Sequence, residues 1–241
     1  MGDQIRPYYA NFGTTLFDGV FLQGKMRAGT NETATYYTKK LEPGQDFPHD
    51  CEVVTIQDNV EYRVMNPILS KLAASIHAGI KKIYVGPGSN VLYVPGDDSC
   101  AFTISYLSDI VGKDGMVFVA AKQDLMQNNN FIGLLNTRSN VQFVAVGNTT
   151  HQDSAAVCKN SIDNFGKKID VLFCDVGYVD QAHRFVHDNF ENNQAVVPDV
   201  SIFLSEQAKL QECRFIRLFN VVTITSLVPE WCCAVGSFYH P

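Results

Sequence analysis

Acidic residues that follow apolar runs are the groups in this sequence best suited to chemistry. Asp175 ends the run Val171-Leu172-Phe173-Cys174. A carboxylate at the carboxyl end of a buried strand points into the crevice where ligands bind, and there it can orient a hydroxyl or accept its proton. An aspartate that only caps the next element is the simpler alternative, and the sequence leaves both open.

The segment Pro95–Ala101, which follows the apolar run 91–94, is the second candidate site. It contains Gly96, Asp97 and Ser99. Glycine lets a backbone approach a ligand, and the amides at a helix start can face a carboxylate or phosphate. The motif is not Gly-x-Gly-x-x-Gly, and its acids would repel a pyrophosphate, which disfavours a dinucleotide. A tight turn that caps the helix is the alternative.

The basic and histidine residues give weaker signals. Eight Lys and Arg residues of the front half could form a phosphate-binding strip: Lys25, Arg27, Lys39, Lys40, Arg63, Lys71, Lys81 and Lys82. Solubilising surface side chains are the equal alternative. His183 and His187 are spaced i, i+4 without a third ligand, so a solvated helix face is favoured and we expect no metal site.

Apolar runs that form buried parallel strands would position these groups. Five such runs are present, at residues 91–94, 117–120, 141–146, 171–174 and 200–204. Amphipathic segments at 103–111 and 181–190 predict crossover helices. The pair 219–225 and 232–239 predicts an antiparallel hairpin at the sheet edge. We therefore expect an α/β fold with a doubly wound, Rossmann-like domain over residues 63–241.

Residues 1–62 show a different pattern, in which short alternating runs are broken by turns such as Pro43-Gly44. This pattern predicts a small antiparallel β-domain. A helix is predicted to open at Asn66-Pro67, because Leu69 and later apolar residues as far as Ile80 recur at helical spacing.

Composition limits the class of protein. Of the 241 residues, 46% are hydrophobic and 18% charged, which excludes a disordered or low-complexity chain. The formal net charge is −6, and the acidic excess lies after Asn90, so any nucleic-acid contact needs a local basic face. Seven scattered cysteines, together with the lack of an apolar leader or a long apolar stretch, predict an intracellular protein without a membrane span.

The run Glu61–Ile76 closely resembles the signature of the fibrillarin family. It is followed by Ile83–Gly88 and Val91–Val94, and then by Leu107–Gly112, which is similar to the helix and turn after the family's cofactor loop. Similar segments upstream and downstream extend the resemblance from about residue 16 to the end of the sequence.

The resemblance implies a small β-domain followed by an S-adenosylmethionine-dependent methyltransferase domain. Fibrillarins methylate ribose 2′-hydroxyls of rRNA under the guidance of box C/D RNAs, in a particle with a Nop-domain scaffold protein. Eukaryotic members are nucleolar and also methylate a histone glutamine. The resemblance therefore implies the scaffold protein, guide RNA and target RNA as partners, with no membrane, and a nuclear or nucleolar location if the source is eukaryotic.

The family's site maps onto residues that differ from its pattern. The cofactor positions fall on Gly96, Asp97, Ser99, Ala121, Lys122, Gly147 or Asn148, and Asp175, with Ala121 in place of a ribose-holding glutamate. The catalytic Lys, Asp, Lys and His fall on Gly86, Asp175, Leu204 or Ser205, and Trp231, so only the aspartate is kept. Lys71 and Arg63 are the expected RNA contacts.

These departures lead to a prediction about activity. The loss of one positioned acid or base typically costs ~10²–10⁴ in rate. We therefore predict a catalytically impaired, fibrillarin-like pseudoenzyme that serves as a binding or assembly component of a ribonucleoprotein particle.

Two alternatives to this prediction are open. In the first, the protein is an active RNA 2′-O-methyltransferase in which Asp97 or Asp98 holds the ribose and Lys122 or Lys209 supplies the missing cation. In the second, the methyltransferase-like fold binds an unrelated partner and has no RNA role.

Overall fold

The computed structural model describes residues 13–15, 17–23, 35–43, 54–77, 83–95, 100–146, 160–175, 200–211, 214–225 and 234–238. Within these ranges the chain forms two β-sheets, one in its amino-terminal part and one in the remainder.

The first sheet is antiparallel and has the strand order β1-β2-β3-β5-β4. Its strands are β1 (Gly13–Thr14), β2 (Val20–Gln23), β3 (Thr35–Lys39), β4 (Val54–Gln57) and β5 (Val60–Val64). Asp58 and Asn59 join the last two strands with φ of 51° and 62°, as a two-residue turn of type I′ requires. The predicted antiparallel β-domain is confirmed. Its boundary after residue 62 stays a prediction, and β5 runs across it.

The second sheet has the strand order β12-β11-β10-β9-β6-β7-β8. Its elements, with the helices between them, are α1 (Lys71–His77), β6 (Asn90–Val94), α2 (Cys100–Val111), β7 (Met116–Ala121), a 3₁₀ helix (Gln123–Gln127), α3 (Asn129–Thr137), β8 (Val141–Ala145), β9 (Val171–Asp175), β10 (Val200–Gln211), β11 (Arg214–Thr225) and β12 (Ala234–Phe238). A further helical segment covers residues 160–164.

The pairing of these strands confirms the predicted doubly wound α/β fold. Strands β8, β7, β6, β9 and β10 are parallel neighbours, and β10, β11 and β12 are antiparallel neighbours at one edge. The predicted terminal hairpin is therefore present as β11 and β12. The predicted crossover helix at residues 181–190 lies outside the described residues.

Helix α2 lies between the two sheets and is buried on almost every side. It contacts β3 of the first sheet and β7 of the second, and all of its residues except Phe102 are buried. The turn after α2 packs tightly against the residues before β6, because a Cβ on Gly115 would lie 2.5 Å from the carbonyl oxygen of Ser89. This position therefore requires glycine.

A buried charge cluster, which we call the Asp109 cluster, joins α2 to the first sheet and to the end of α3. Nη2 of Arg63 and Nη1 of Arg138 each lie 2.5 Å from one carboxylate oxygen of Asp109. The hydroxyl of Thr38 and the amide of Leu41 also donate to this carboxylate, at 2.8 and 3.0 Å. All four contacts come from outside α2, so the cluster fixes the helix against both of its neighbours.

The Asp109 cluster predicts a loss of stability in acid. Burial alone would raise the pKa of the Asp109 carboxyl, but the two guanidinium charges and the hydrogen bonds outweigh it and lower that pKa. Because the pKa of Asp109 is lower in the folded protein than in the unfolded chain, its ionisation stabilises the fold at pH values above the unfolded-state pKa of about 4. This stabilisation is lost as the pH falls from about 4 through the folded-state pKa. We expect the urea midpoint to fall more steeply below about pH 4 in the wild type than in Asp109→Asn. Equal slopes would contradict the prediction.

Candidate functional site

The best candidate site lies at the carboxyl edge of the parallel strands, around Asp175 at the end of β9. Its carboxylate is buried, with Nζ of Lys71 2.6 Å from Oδ1 and the hydroxyl of Tyr93 donating to Oδ2 at 2.8 Å. Lys71 opens α1, and Tyr93 is in β6. Three elements therefore bring an ammonium, a carboxylate and a phenol together at one edge of the sheet.

Local structure explains why Lys71 is at this point. Ser70 precedes α1, and its hydroxyl accepts from the amide of Ala73 at 3.3 Å and lies 2.8 Å from the hydroxyl of Thr103 on α2. The first of these contacts caps α1, and the second anchors its start to α2. The helix was predicted to open at Asn66-Pro67. It begins at Lys71 instead, because the side chain of Asn66 accepts from the amide of Ile68 and holds the preceding residues in a turn.

The pairing of Lys71 with Asp175 was missed by the sequence reasoning, which placed Lys71 among the RNA contacts. Lys71 is within the signature run, and Asp175 ends an apolar run far along the chain. Each residue could be singled out from its own surroundings, but no periodicity in the sequence links them. Only the packing of α1 beside the end of β9 makes them neighbours.

The structure corrects the assignment of a catalytic lysine position to Gly86. Gly86 forms a tight turn with Ser89 just before β6, since its amide donates to the Ser89 hydroxyl at 3.1 Å. This turn is at the amino end of β6, whereas Asp175 ends the parallel neighbour β9. The two residues therefore lie at opposite ends of these parallel strands and cannot belong to one catalytic centre.

The other two catalytic positions have different outcomes. Leu204, the predicted second lysine position, pairs directly with Asp175 in the register of β10 and β9, and Ser205 follows it. The backbone position is therefore next to that of Asp175, and the residue there is leucine. Trp231 lies outside the described residues. Lys209, an alternative source of a cation, is further along β10 and pairs with Ile216 of β11.

The predicted cofactor residues are only partly described. Gly96, Asp97, Ser99, Gly147 and Asn148 lie outside the described residues. The described end of β6, which precedes the first three in the chain, lies at the same end of the parallel strands as Asp175.

Ala121 and Lys122 are described, at the carboxyl end of β7. The Ala121 side chain is 8% exposed, and Lys122 is exposed. A ribose-holding acid usually follows the second strand of such a fold. The described end of β7 therefore supplies no carboxylate for that purpose.

Arg63 does not fit its predicted role as an RNA contact. It is 1% exposed, and its guanidinium donates to Asp109 and to the hydroxyl of Ser105. The group faces the protein interior, where it joins the first sheet to α2. Lys40, another member of the predicted basic strip, is likewise buried and lies 3.4 Å from Glu61.

The described part of the chain offers neither a metal site nor a membrane-spanning helix. No group of three His, Cys, Asp or Glu side chains in these ranges could hold a metal ion. None of the helices described is both long enough and apolar enough to span a bilayer.

The fold and the position of Asp175 define the class of protein. A doubly wound sheet with antiparallel strands at one edge, and a candidate site at the carboxyl ends of its parallel strands, is the Rossmann-like fold of S-adenosylmethionine-dependent methyltransferases. The solved fibrillarin of Methanococcus jannaschii superposes with a TM-score of 0.63 at 19% identity, covering 81% of this chain and 76% of that one. The Aeropyrum pernix fibrillarin, solved with natively bound S-adenosyl-L-methionine, gives 0.62 at 20%, covering 82% and 78%.

Sequence comparison identifies the family within this class. The sequence model of the Fibrillarin family matches residues 14–197, and the chain belongs to the fibrillarin family. It is 27% identical over 222 residues to the rRNA 2′-O-methyltransferase fibrillarin 2 of Arabidopsis thaliana, covering 85% of this chain and 66% of that protein. It is 30% identical over 192 residues to the fibrillarin of Rattus norvegicus, covering 73% and 55%. The chain thus spans between about half and two thirds of these relatives' length.

Proposed function

We propose that this chain is a fibrillarin-family protein that binds RNA and transfers methyl groups poorly, acting mainly as a component of a box C/D-type ribonucleoprotein particle. The observation that carries the proposal is a site that has a paired ammonium and carboxylate but lacks the acid expected to hold the ribose of the cofactor. Lys71 and Asp175 are paired at the end of β9, while the end of β7, two strands away, has Ala121 where a ribose-holding carboxylate is expected.

The described ends of β6, β7 and β8 offer no carboxylate to the ribose of S-adenosylmethionine. The described carboxyl ends of β6, β7 and β8 are followed by Pro95, Lys122 and Val146, none of which can accept hydrogen bonds from ribose hydroxyls through a carboxylate. When bound, the cofactor supplies the methyl group for transfer. We infer that its affinity for this chain is weak.

The paired residues favour the second candidate function, an active RNA 2′-O-methyltransferase. An ammonium and a carboxylate in direct contact, 2.6 Å apart, can together orient a ribose 2′-hydroxyl bound beside them, and the carboxylate can accept its proton. Because Asp175 is buried, water competes little for these contacts. This arrangement supports residual turnover.

The proposed partners follow from the family and from the charge of the chain. Guide RNA, target RNA and a Nop-domain scaffold protein are the proposed components of the particle, and the nucleolus is the proposed location in a eukaryotic cell. The chain's net charge of −6 means that RNA contacts need a local basic surface or the scaffold protein. We propose that the scaffold protein supplies much of the RNA affinity.

Methyl transfer to a guided RNA tests the proposal. Particles reconstituted with this chain and with the Aeropyrum pernix fibrillarin are compared for incorporation of labelled methyl groups. We expect RNA to be bound by both particles and turnover by this chain to be lower by about 100-fold or more, since several positioned groups are replaced. Asp175→Asn is expected to abolish the remaining turnover.

The control for this experiment is Asp124→Asn, which neutralises an exposed acid after β7. It should leave residual turnover unchanged. Turnover equal to that of the archaeal enzyme would establish the active alternative. Failure to bind RNA with the scaffold protein present would reject an RNA role altogether.

A further inference from the structure

We propose that Tyr93 is a positioning residue that holds the carboxylate of Asp175 and, through it, the ammonium of Lys71. This inference rests on the function proposed above. The Tyr93 hydroxyl donates to Oδ2 of Asp175 at 2.8 Å, while Nζ of Lys71 lies 2.6 Å from Oδ1. The two carboxylate oxygens therefore have different partners, and rotation of the carboxylate would break both contacts.

The position of Tyr93 in the sheet makes this contact specific. In the register of β6 and β9, Tyr93 pairs with Phe173, two residues before Asp175. Residues two apart in a strand lie on the same face, so Tyr93, Phe173 and Asp175 share one face of the sheet. A tyrosine is long enough to reach across to the end of the neighbouring strand.

The Tyr93 ring is rigidly held. It is fully buried, and it stacks on Phe173 with ring centroids 5.9 Å apart and an interplanar angle of 30°. A tyrosine side chain has only two torsions between the backbone and its ring, and complete burial restricts both of them. Its oxygen is therefore a fixed reference point for the carboxylate of Asp175.

The chemistry of the phenol suits this role. A hydroxyl that donates to a carboxylate stabilises it without adding a charge. A second cation in place of Tyr93 would compete with Lys71 for Asp175. With a neutral donor on Oδ2, the attraction of the carboxylate for a cation stays directed at Lys71.

The reactivity of the Lys71 amine tests this role, because Tyr93→Phe removes only the phenolic oxygen. Wild type and variant are treated with acetic anhydride, and acetylation of each lysine is followed by mass spectrometry. We expect Lys71 to react about three to ten times faster in Tyr93→Phe, because a hydrogen bond to a charged group is lost and the ion pair loosens. Lys40, buried beside Glu61 in the first sheet, is the internal reference and should not change.

Tyr37→Phe is the matched control variant. Tyr37 is also buried, and its hydroxyl donates to the side chain of Gln23 in the first sheet, away from Asp175. It should leave the reactivity of Lys71 unchanged. Unchanged Lys71 reactivity in Tyr93→Phe would overturn the proposal, and so would an equal rise at Lys40, which would mean a general loosening of the fold.

The acetylation experiment needs neither RNA nor cofactor, so its result is independent of the proposed function. If the wild type transfers no methyl groups, the acetylation rates still decide the role of Tyr93. If it does, Tyr93→Phe should lower the rate at saturating RNA and cofactor about tenfold, with the KM for cofactor unchanged. A fall in rate without a change in Lys71 reactivity would overturn the positioning role.

Discussion

Asp109→Asn is expected to lower the free energy of unfolding by about 3–5 kcal/mol, because it removes the charge that Asp109 presents to two buried guanidinium groups. Arg63 and Arg138 are 1% and 2% exposed, and both lie against this carboxylate. Asparagine keeps the shape of the side chain, but its amide group replaces one of two oxygens that each accept from two donors, so a donor then faces donors. Urea unfolding at neutral pH, followed by circular dichroism, measures the loss.

The control for this prediction is Asp114→Asn, which neutralises an exposed acid in the turn after α2. A surface change of this kind should alter the free energy of unfolding by less than about 0.5 kcal/mol. If Asp109→Asn lowers the free energy of unfolding by less than about 1 kcal/mol, Asp109 is not the main counter-charge of the two arginines. Water or another group would then already neutralise them.

Ala121→Glu is expected to raise the affinity for S-adenosylmethionine at least about tenfold. Ala121 ends β7, the strand after which this fold usually places the acid that accepts hydrogen bonds from ribose hydroxyls. A hydrogen bond to a charged group contributes about 1.5–3 kcal/mol, and 1.4 kcal/mol corresponds to a tenfold change in affinity. Isothermal calorimetry of the wild type and the variant measures the difference.

Ala121→Gln is the matched control for the cofactor prediction. It has the same length as glutamate and lacks the charge, so it should bind the cofactor less tightly than Ala121→Glu. Equal affinities of the two variants would contradict the prediction. Micromolar binding by the wild type, with no gain in Ala121→Glu, would mean that the segment with Asp97 and Asp98 already holds the ribose. That result would favour the active alternative.

The positions of the strands, and the antiparallel or parallel type of the two sheets, were predictable because local patterns of apolar and turn residues indicate both. The runs that became β6, β7, β8 and β9 are almost continuously apolar, which is typical of parallel strands covered on both faces. The length of β10 was not predictable in the same way. It was expected to end at Leu204, where its pairing with β9 ends, but it continues to Gln211 because β11 supplies a second, longer partner.

The roles of individual basic residues were harder to predict than the strands. Arg63 and Lys71 both lie in the signature run and were given the same role. The structure separates them, since Arg63 turns inward to Asp109 and Lys71 reaches Asp175. A charged side chain carries no sign of its partner in the local sequence, and its burial depends on which element packs against it.

The sequence by itself determined the class of fold and the family resemblance, and it singled out Asp175 as a candidate, because these depend on periodicity, turn residues and a contiguous run. Only the tertiary structure decided that Lys71 and Tyr93 hold the two oxygens of Asp175, and that Gly86 lies at the other end of the parallel strands. The physical reason is that the spacing of apolar and polar residues along the chain indicates which face of a helix or strand a residue is on. Contact between distant residues depends on how the elements pack and on the register of their strands.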